Sequence, residues 1–191
     1  QQGNSVAGTP DGGFIASWHS YGQDAANTWG VYFQRFDANG NKIGGEVPAN
    51  STVAGDQYGG ELAVLKDGTF VISWFDTPTN SIVLRHFNAS GSPLGSEISI
   101  ANATGDTVQA LADGGYVVTY TANDATGSLG LFGQRFDASG TLDGGAFSAG
   151  RVAADPEALG QLFADPEARC CLGGHECLRI GVYGNELDPF E

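Results

Sequence analysis

Glu61-Leu62-Ala63-Val64-Leu65, Lys66-Asp67-Gly68-Thr69 and Phe70-Val71-Ile72-Ser73-Trp74-Phe75 run consecutively through the middle of the chain, and their reading decides the fold. The first run is a short apolar strand. The second carries Asp-Gly, the dipeptide that closes hairpins because Gly accepts a positive φ. The third is nearly continuous in apolar and β-favouring residues, as expected of a strand buried on both faces. Downstream, Ile82-Val83-Leu84-Arg85-His86-Phe87 reads as a third strand, Asn88-Ala89-Ser90-Gly91 as a turn, and the region from Leu94 to Ile100 as a fourth strand. About fifty residues thus encode one antiparallel four-stranded sheet.

The same frame recurs on both sides. Pro10-Asp11-Gly12-Gly13, Phe14 to Trp18 and Val31 to Gly40 form an upstream copy, and Ala112-Asp113-Gly114-Gly115, Tyr116 to Tyr120 and Gln134 to Gly140 a downstream one. Ile43-Gly44, Leu94-Gly95 and Asp143-Gly144 mark the fourth strand of each. Phe36, Phe87, Phe136 and Leu187 follow one another at spacings of 51, 49 and 51 residues, and Asp56, Asp106 and Asp155 at 50 and 49. Two markers with one period indicate a single unit repeated, because a sheet with an open apolar face is stabilised by stacking on its copies.

The fold class expected is all-β: a β-propeller-like array of four-stranded antiparallel blades, at about residues 1–50, 51–101, 102–150 and a divergent, incomplete 151–191, in one repeat domain. In the last segment, Gly181-Val182-Tyr183 with Leu187-Asp188 repeats Gly30-Val31-Tyr32 with Phe36-Asp37. Asp155-Pro156-Glu157 and Asp165-Pro166-Glu167 also fit helix N-termini, a competing reading against which the period is weighed. The open edge of a truncated fourth unit invites pairing by the chain's own start or by another subunit, so a homo-oligomer or a larger parent assembly is a second expectation.

Composition bounds the function. The 191 residues carry 8 Lys plus Arg against 22 Asp plus Glu, a formal net charge of −14. Such a surface repels phosphate backbones and anionic lipid, which argues against nucleic-acid and membrane partners. No apolar run is long enough to cross a bilayer as a helix. The chain reads as secreted, extracellular or at the cell surface, and its start at Gln1-Gln2 fits a mature chain whose leader was removed. Cys170, Cys171 and Cys177 are compatible with one disulfide and a free thiol, with buried thiols, or with a metal site that includes His175.

Asp11 to Trp18 followed by Gly30 to Gly40 resembles repeats of large secreted bacterial proteins of the RTX and adhesin type, over about residues 5 to 150. The resemblance implies blade-like repeats and an adhesive, extracellular context, and supplies no catalytic residues. The Gly-Gly-x-Gly-x-Asp calcium repeats of RTX proteins do not occur here.

Three groups of residues are candidate sites. The loops between the second and third strands, Ser20 to Trp29 and Ala122 to Gly130, carry Tyr21, Asp24, Asn27, Trp29, Asn123 and Asp124. Aromatic faces beside fixed acceptors are what sugar binding needs, so a glycan or other cell-surface ligand is the expected partner; a merely polar loop is the plainer reading. Asp56, Asp106 and Asp155 at the blade junctions would gather carboxylates on one rim and hold a cation such as calcium, unless they cap turns. The turns Asp37 to Asn41, Asn88 to Ser92 and Asp137 to Thr141 offer oxygen ligands too, though Asp and Asn commonly start such turns by bonding their own backbone.

Trp18, Trp74 and Tyr120 are expected in the core, and Arg35, His86 and Arg135 at equivalent polar strand positions. Asn50-Ser51-Thr52, Asn88-Ala89-Ser90 and Asn102-Ala103-Thr104 match the glycosylation sequon. No Gly-x-Ser-x-Gly, His-Glu-x-x-His, phosphate loop or nucleotide fingerprint is present, so a non-catalytic binding module is favoured over a polysaccharide-active enzyme using rim carboxylates.

Overall fold

Turns of one design organise the described residues, Asp124 to Ser128 with Gly127 at φ 80° among them. In Leu65-Lys66-Asp67-Gly68-Thr69 the Gly68 N–H donates to the Leu65 carbonyl (3.0 Å) and the Leu65 N–H to the Thr69 carbonyl (2.8 Å), with Gly68 at φ 86°. A type I turn followed by a left-handed glycine makes a hairpin loop longer than the two-residue kind. The same pair of bonds closes Thr9 to Gly13, Asp37 to Asn41, Asn88 to Ser92, Leu111 to Gly115 and Asp137 to Thr141.

In the computed structural model, which describes residues 1–151, these turns join strands into three antiparallel sheets of four. The first holds β1 (Gln2–Gly8), β2 (Phe14–Tyr21), β3 (Trp29–Phe36) and β4 (Lys42–Pro48). The second holds β5 (Gln57–Val64), β6 (Phe70–Asp76), β7 (Ser81–Phe87) and β8 (Ile98–Ala101). The third holds β9 (Ala103–Ala110), β10 (Tyr116–Asn123), β11 (Leu129–Phe136) and β12 (Phe147–Arg151). Strand order within each sheet follows the chain. No helix occurs among the described residues. The expected fourth repeat, with Asp155, Cys170, Cys171 and Cys177, lies outside them.

The fourth strands differ from expectation. Ile43-Gly44 lies in β4, but Leu94-Gly95 and Asp143-Gly144 lie in the connections before β8 and β12. There each turn is followed by an isolated bridge, Phe87 to Pro93 and Phe136 to Leu142, and the strand resumes several residues later.

Register shows how deep the repeat runs. Phe14 pairs Phe36, Phe70 pairs Phe87 and Tyr116 pairs Phe136. Each pair is a parallel ring stack, at 4.6, 5.1 and 4.9 Å between centroids. β5 packs on β1, β2 and β3, and β9 on β5, β6 and β7, so each sheet sets its first strand against the one before.

Two apolar clusters fill these junctions. Ile15, Val31 and Phe33 of the first sheet meet Leu62, Phe70, Ile72, Trp74 and Phe87 of the second. Val71, Ile82 and Leu84 meet Val108, Tyr116, Val118, Tyr120 and Phe136. The Phe33 ring stands edge-on to the Phe70–Phe87 stack, 5.2 and 5.0 Å from its two members. β6 is buried on both faces because it carries residues of both clusters.

Polar bonds repeat as well. The Ser17 hydroxyl donates to the Gly60 carbonyl, and Ser73, at the same place on its strand, donates to the Asp106 carboxylate. Both acceptors sit at a bulge of the following sheet's first strand.

Candidate functional site

At the far end of β2 and β3 the pairing closes on Tyr21 opposite Trp29, so both aromatics sit on strand ends and the loop proper is residues 22–28. The loop is cinched by the Gly22 N–H on the Thr28 carbonyl (2.8 Å), with Asn27 at φ 64°, a left-handed conformation that Asn tolerates. The Tyr21 hydroxyl donates to Asn27 Oδ1 (3.3 Å). Four rings then adjoin: Tyr21 and Trp29 at 5.3 Å, Trp29 and His19 at 5.1 Å, His19 and Tyr58 at 5.7 Å, and Trp29 and Tyr58 at 6.0 Å. Tyr21 is 53% exposed; His19, Trp29 and Tyr58 are half-buried.

Two carboxylates hold this platform. Asp56 accepts from the Trp29 backbone N–H (3.0 Å) on one oxygen and from the Tyr58 hydroxyl (2.9 Å) on the other, bridging the first two sheets. That bond to Asp56 raises the Tyr58 pKa, because the donated proton is held by the anion. Asp24 folds over Gly30, where a methyl group would fall 2.2 Å from its carboxylate, and receives the Asn50 amide at 3.3 Å.

Beneath lies a buried polar chain. Asn50 accepts from the Val31 N–H (2.8 Å) and donates to Gln57 (3.2 Å), which donates to Asp76 (3.1 Å). These bonds anchor residues 49–56, the link from β4 to β5. Asn50 is 5% exposed, which removes it from the accessible sequons.

The structure brings Tyr21, Asp24, Asn27, Trp29 and Asp56 together at this end, and adds His19 and Tyr58. Asn123 and Asp124 sit apart, at the end of the third sheet. Asp124 opens a turn of its own, accepting from the N–H groups of Thr126 (2.8 Å) and Ser128 (3.0 Å). Asn123 lines an open cleft of about 580 Å³ between the second and third sheets, with Asn80, Asn102, Thr104, Thr121 and Leu129.

The carboxylates expected at one rim are not equivalent. Asp56 precedes β5 whereas Asp106 lies within β9, where it corresponds in register to Gly60. Their 50-residue spacing arises because the link before β5 spans residues 49–56 while Asn102 alone separates β8 from β9. Burial pushes the Asp106 carboxyl up, against the Ser73 bond, and burial with the Asp106 charge raises Glu61.

The turn oxygens are occupied by their own backbone. Asp37 Oδ1 accepts from the N–H groups of Asn39 (2.9 Å) and Asn41 (2.8 Å), and Asp137 Oδ1 likewise from Ser139 (2.8 Å) and Thr141 (2.9 Å). Hydrogen bonds from Asn41 and Ser139 lead in lowering these two pKa values. Among the described residues no cluster of three His, Cys, Asp or Glu side chains is placed to hold a metal ion.

No protein-family profile matches the sequence, and no curated protein matches it. One similar solved structure is described as the crystal structure of the eukaryotic initiation factor, with a TM-score of 0.44 and 9% identity, aligned over 75% of this chain and 31% of that one.

Proposed function

We propose that this chain is a non-catalytic, extracellular binding module of the adhesion type, a propeller-like array of blades that recognises neutral glycans at the Tyr21–Trp29 platform. The observation that carries the reading is an exposed Tyr21 ring tilted 56° against Trp29 and backed by His19 and Tyr58. Apolar sugar faces stack on such rings, and fixed side-chain oxygens accept their hydroxyls. Asn27, exposed at the loop tip, stands beside the Tyr21 hydroxyl to provide the polar part.

The resemblance to secreted repeats supports the extracellular setting, and the net charge of −14 supports neutral over anionic glycans. The sheet-on-sheet order, each first strand against the preceding sheet, supports a radial array.

A glycan array followed by titration tests this. Binding of a neutral oligosaccharide is expected, weakened about tenfold by Tyr21→Ala or Trp29→Ala, the loss of roughly 1.4 kcal/mol that one stacked ring provides. Absence of binding across the array, or binding that both variants retain, would refute it.

A further inference from the structure

Five register positions face the preceding sheet in the second and third sheets, and in the first sheet no described sheet precedes them. In the second sheet they are Leu62, Phe70, Ile72, Trp74 and Phe87, at 7%, 0%, 0%, 1% and 1% exposure. In the third they are Val108, Tyr116, Val118, Tyr120 and Phe136, all at 6% or below. In the first they are Val6, Phe14, Ala16, Trp18 and Phe36: Val6 is 67% exposed and the other four are half-buried. The residue types are those of a covered face, down to the ring stack of Phe14 on Phe36.

What covers this face elsewhere is always the same. Phe33 of the first sheet stands against the ring stack of the second, and Leu84, at the equivalent position of the second, shares one buried cluster with the Tyr116–Phe136 stack of the third. The third sheet has Gly133 there, and its strand partner Phe147 fills the gap: a methyl group on Gly133 would fall 2.2 Å from the Phe147 ring. The third sheet thus keeps an aromatic knob where the repeated interface needs one.

Polar contacts match as well. Arg35 Nη1 donates to the Ser90 carbonyl in the next sheet's turn (3.1 Å). Arg135 is its register equivalent; it bonds Asp113 and Asp143 through Nη2 and Nε, with Nη1 outside both bonds. The turn of the first sheet offers Asn39 where the second offers Ser90.

We infer that this chain associates head to tail with a second copy of itself, the Phe147–Arg135 face of one third sheet covering Val6, Phe14, Ala16, Trp18 and Phe36 of the next first sheet. The occupant is another copy because the interface required is the one already made twice within the chain. Such a heterologous contact propagates until a ring closes or a filament grows. With a net charge of −14 the copies repel, so association strengthens with salt.

Sedimentation of the full chain over a concentration series at physiological salt tests this. The mass should rise above that of the monomer with concentration, and more so at higher salt. Val6→Asp, which alters a largely exposed side chain, should restore the monomer with unchanged strand circular dichroism. In a Trp29→Phe chain the remaining indoles are Trp74, 1% exposed, and Trp18, half-buried with its Nε1 covered, so what acrylamide quenching there is comes from the Trp18 ring and should fall as concentration rises. A chain that stays monomeric throughout, or whose quenching is independent of concentration, overturns the inference.

Discussion

Phe70→Ala and Phe14→Ala change one residue type at one register position under different cover. Phe70 is fully buried, stacked on Phe87 and met edge-on by Phe33 of the preceding sheet. Phe14 is stacked on Phe36 as closely but half-buried. Truncating a fully buried Phe costs about 3–5 kcal/mol through lost transfer energy and the cavity left behind. At Phe14 the stack, worth about 0.5–1.5 kcal/mol, and part of the burial are lost, so about 1–2 kcal/mol is expected. The difference of roughly 2 kcal/mol is a large share of the about 5–15 kcal/mol that holds a domain together. Urea denaturation followed by strand circular dichroism in dilute protein, where the Phe14 face is uncovered, reads it as a difference in midpoint at constant slope. Equal losses would refute the claim that the sheets stack in one direction through a repeated face.

Three further outcomes are expected. Burial lowers the pKa of His86 below its usual 6.5, against the opposing Ser139 backbone and the Asp67 and Asp137 charges, so the folded state prefers the neutral ring. Stability at this site is present above pH of about 6.5 and is lost as pH falls below it; a denaturation series on wild type and His86→Gln should show that loss only in the former. The raised pKa values of Asp106 and Glu61 act in the other direction, their contribution falling as pH rises from the ordinary carboxylate range through the folded values. Asp106→Asn, which keeps an acceptor for Ser73, should therefore raise the stability at neutral pH by about 1 kcal/mol of relieved burial cost, read as a higher melting point. Gln57→Leu removes one bond each from the Asn50 amide, which keeps Thr52 and Asp24, and from the Asp76 carboxylate, which keeps Thr79, and should cost about 1–2 kcal/mol in the same assay.

Strand placement was legible from the residues where apolar runs and Asp-Gly turns coincide, as in Phe70 to Phe75 and the turn at Asp67-Gly68. The fourth strands were less so, because after Gly91 and Gly140 a single bridge follows the turn and pairing then lapses until Ile98 and Phe147. A period cannot report that lapse, since the turn residues themselves keep their spacing. Asp56 and Asp106 show the same weakness: equal spacing along the chain survived while one link between sheets lengthened and another shrank to Asn102.

At the site, Tyr21, Asp24, Asn27 and Trp29 were visible because one loop carries them. His19 and Tyr58 were not, although His19 lies two residues before Tyr21 and so on the same strand face, and Tyr58 lies two residues after Asp56. Only the packing of β5 against the first sheet brings Tyr58 to Trp29.

The most direct measurement of the functional claim is the indole N–H signals of Trp18, Trp29 and Trp74 in a nitrogen-15 spectrum while a neutral oligosaccharide is added. Recognition at the Tyr21 platform predicts that the Trp29 signal shifts saturably while Trp18 and Trp74 stay in place. A saccharide that moves Trp18 or Trp74 and leaves Trp29 unmoved, or that moves none of the three, would contradict it.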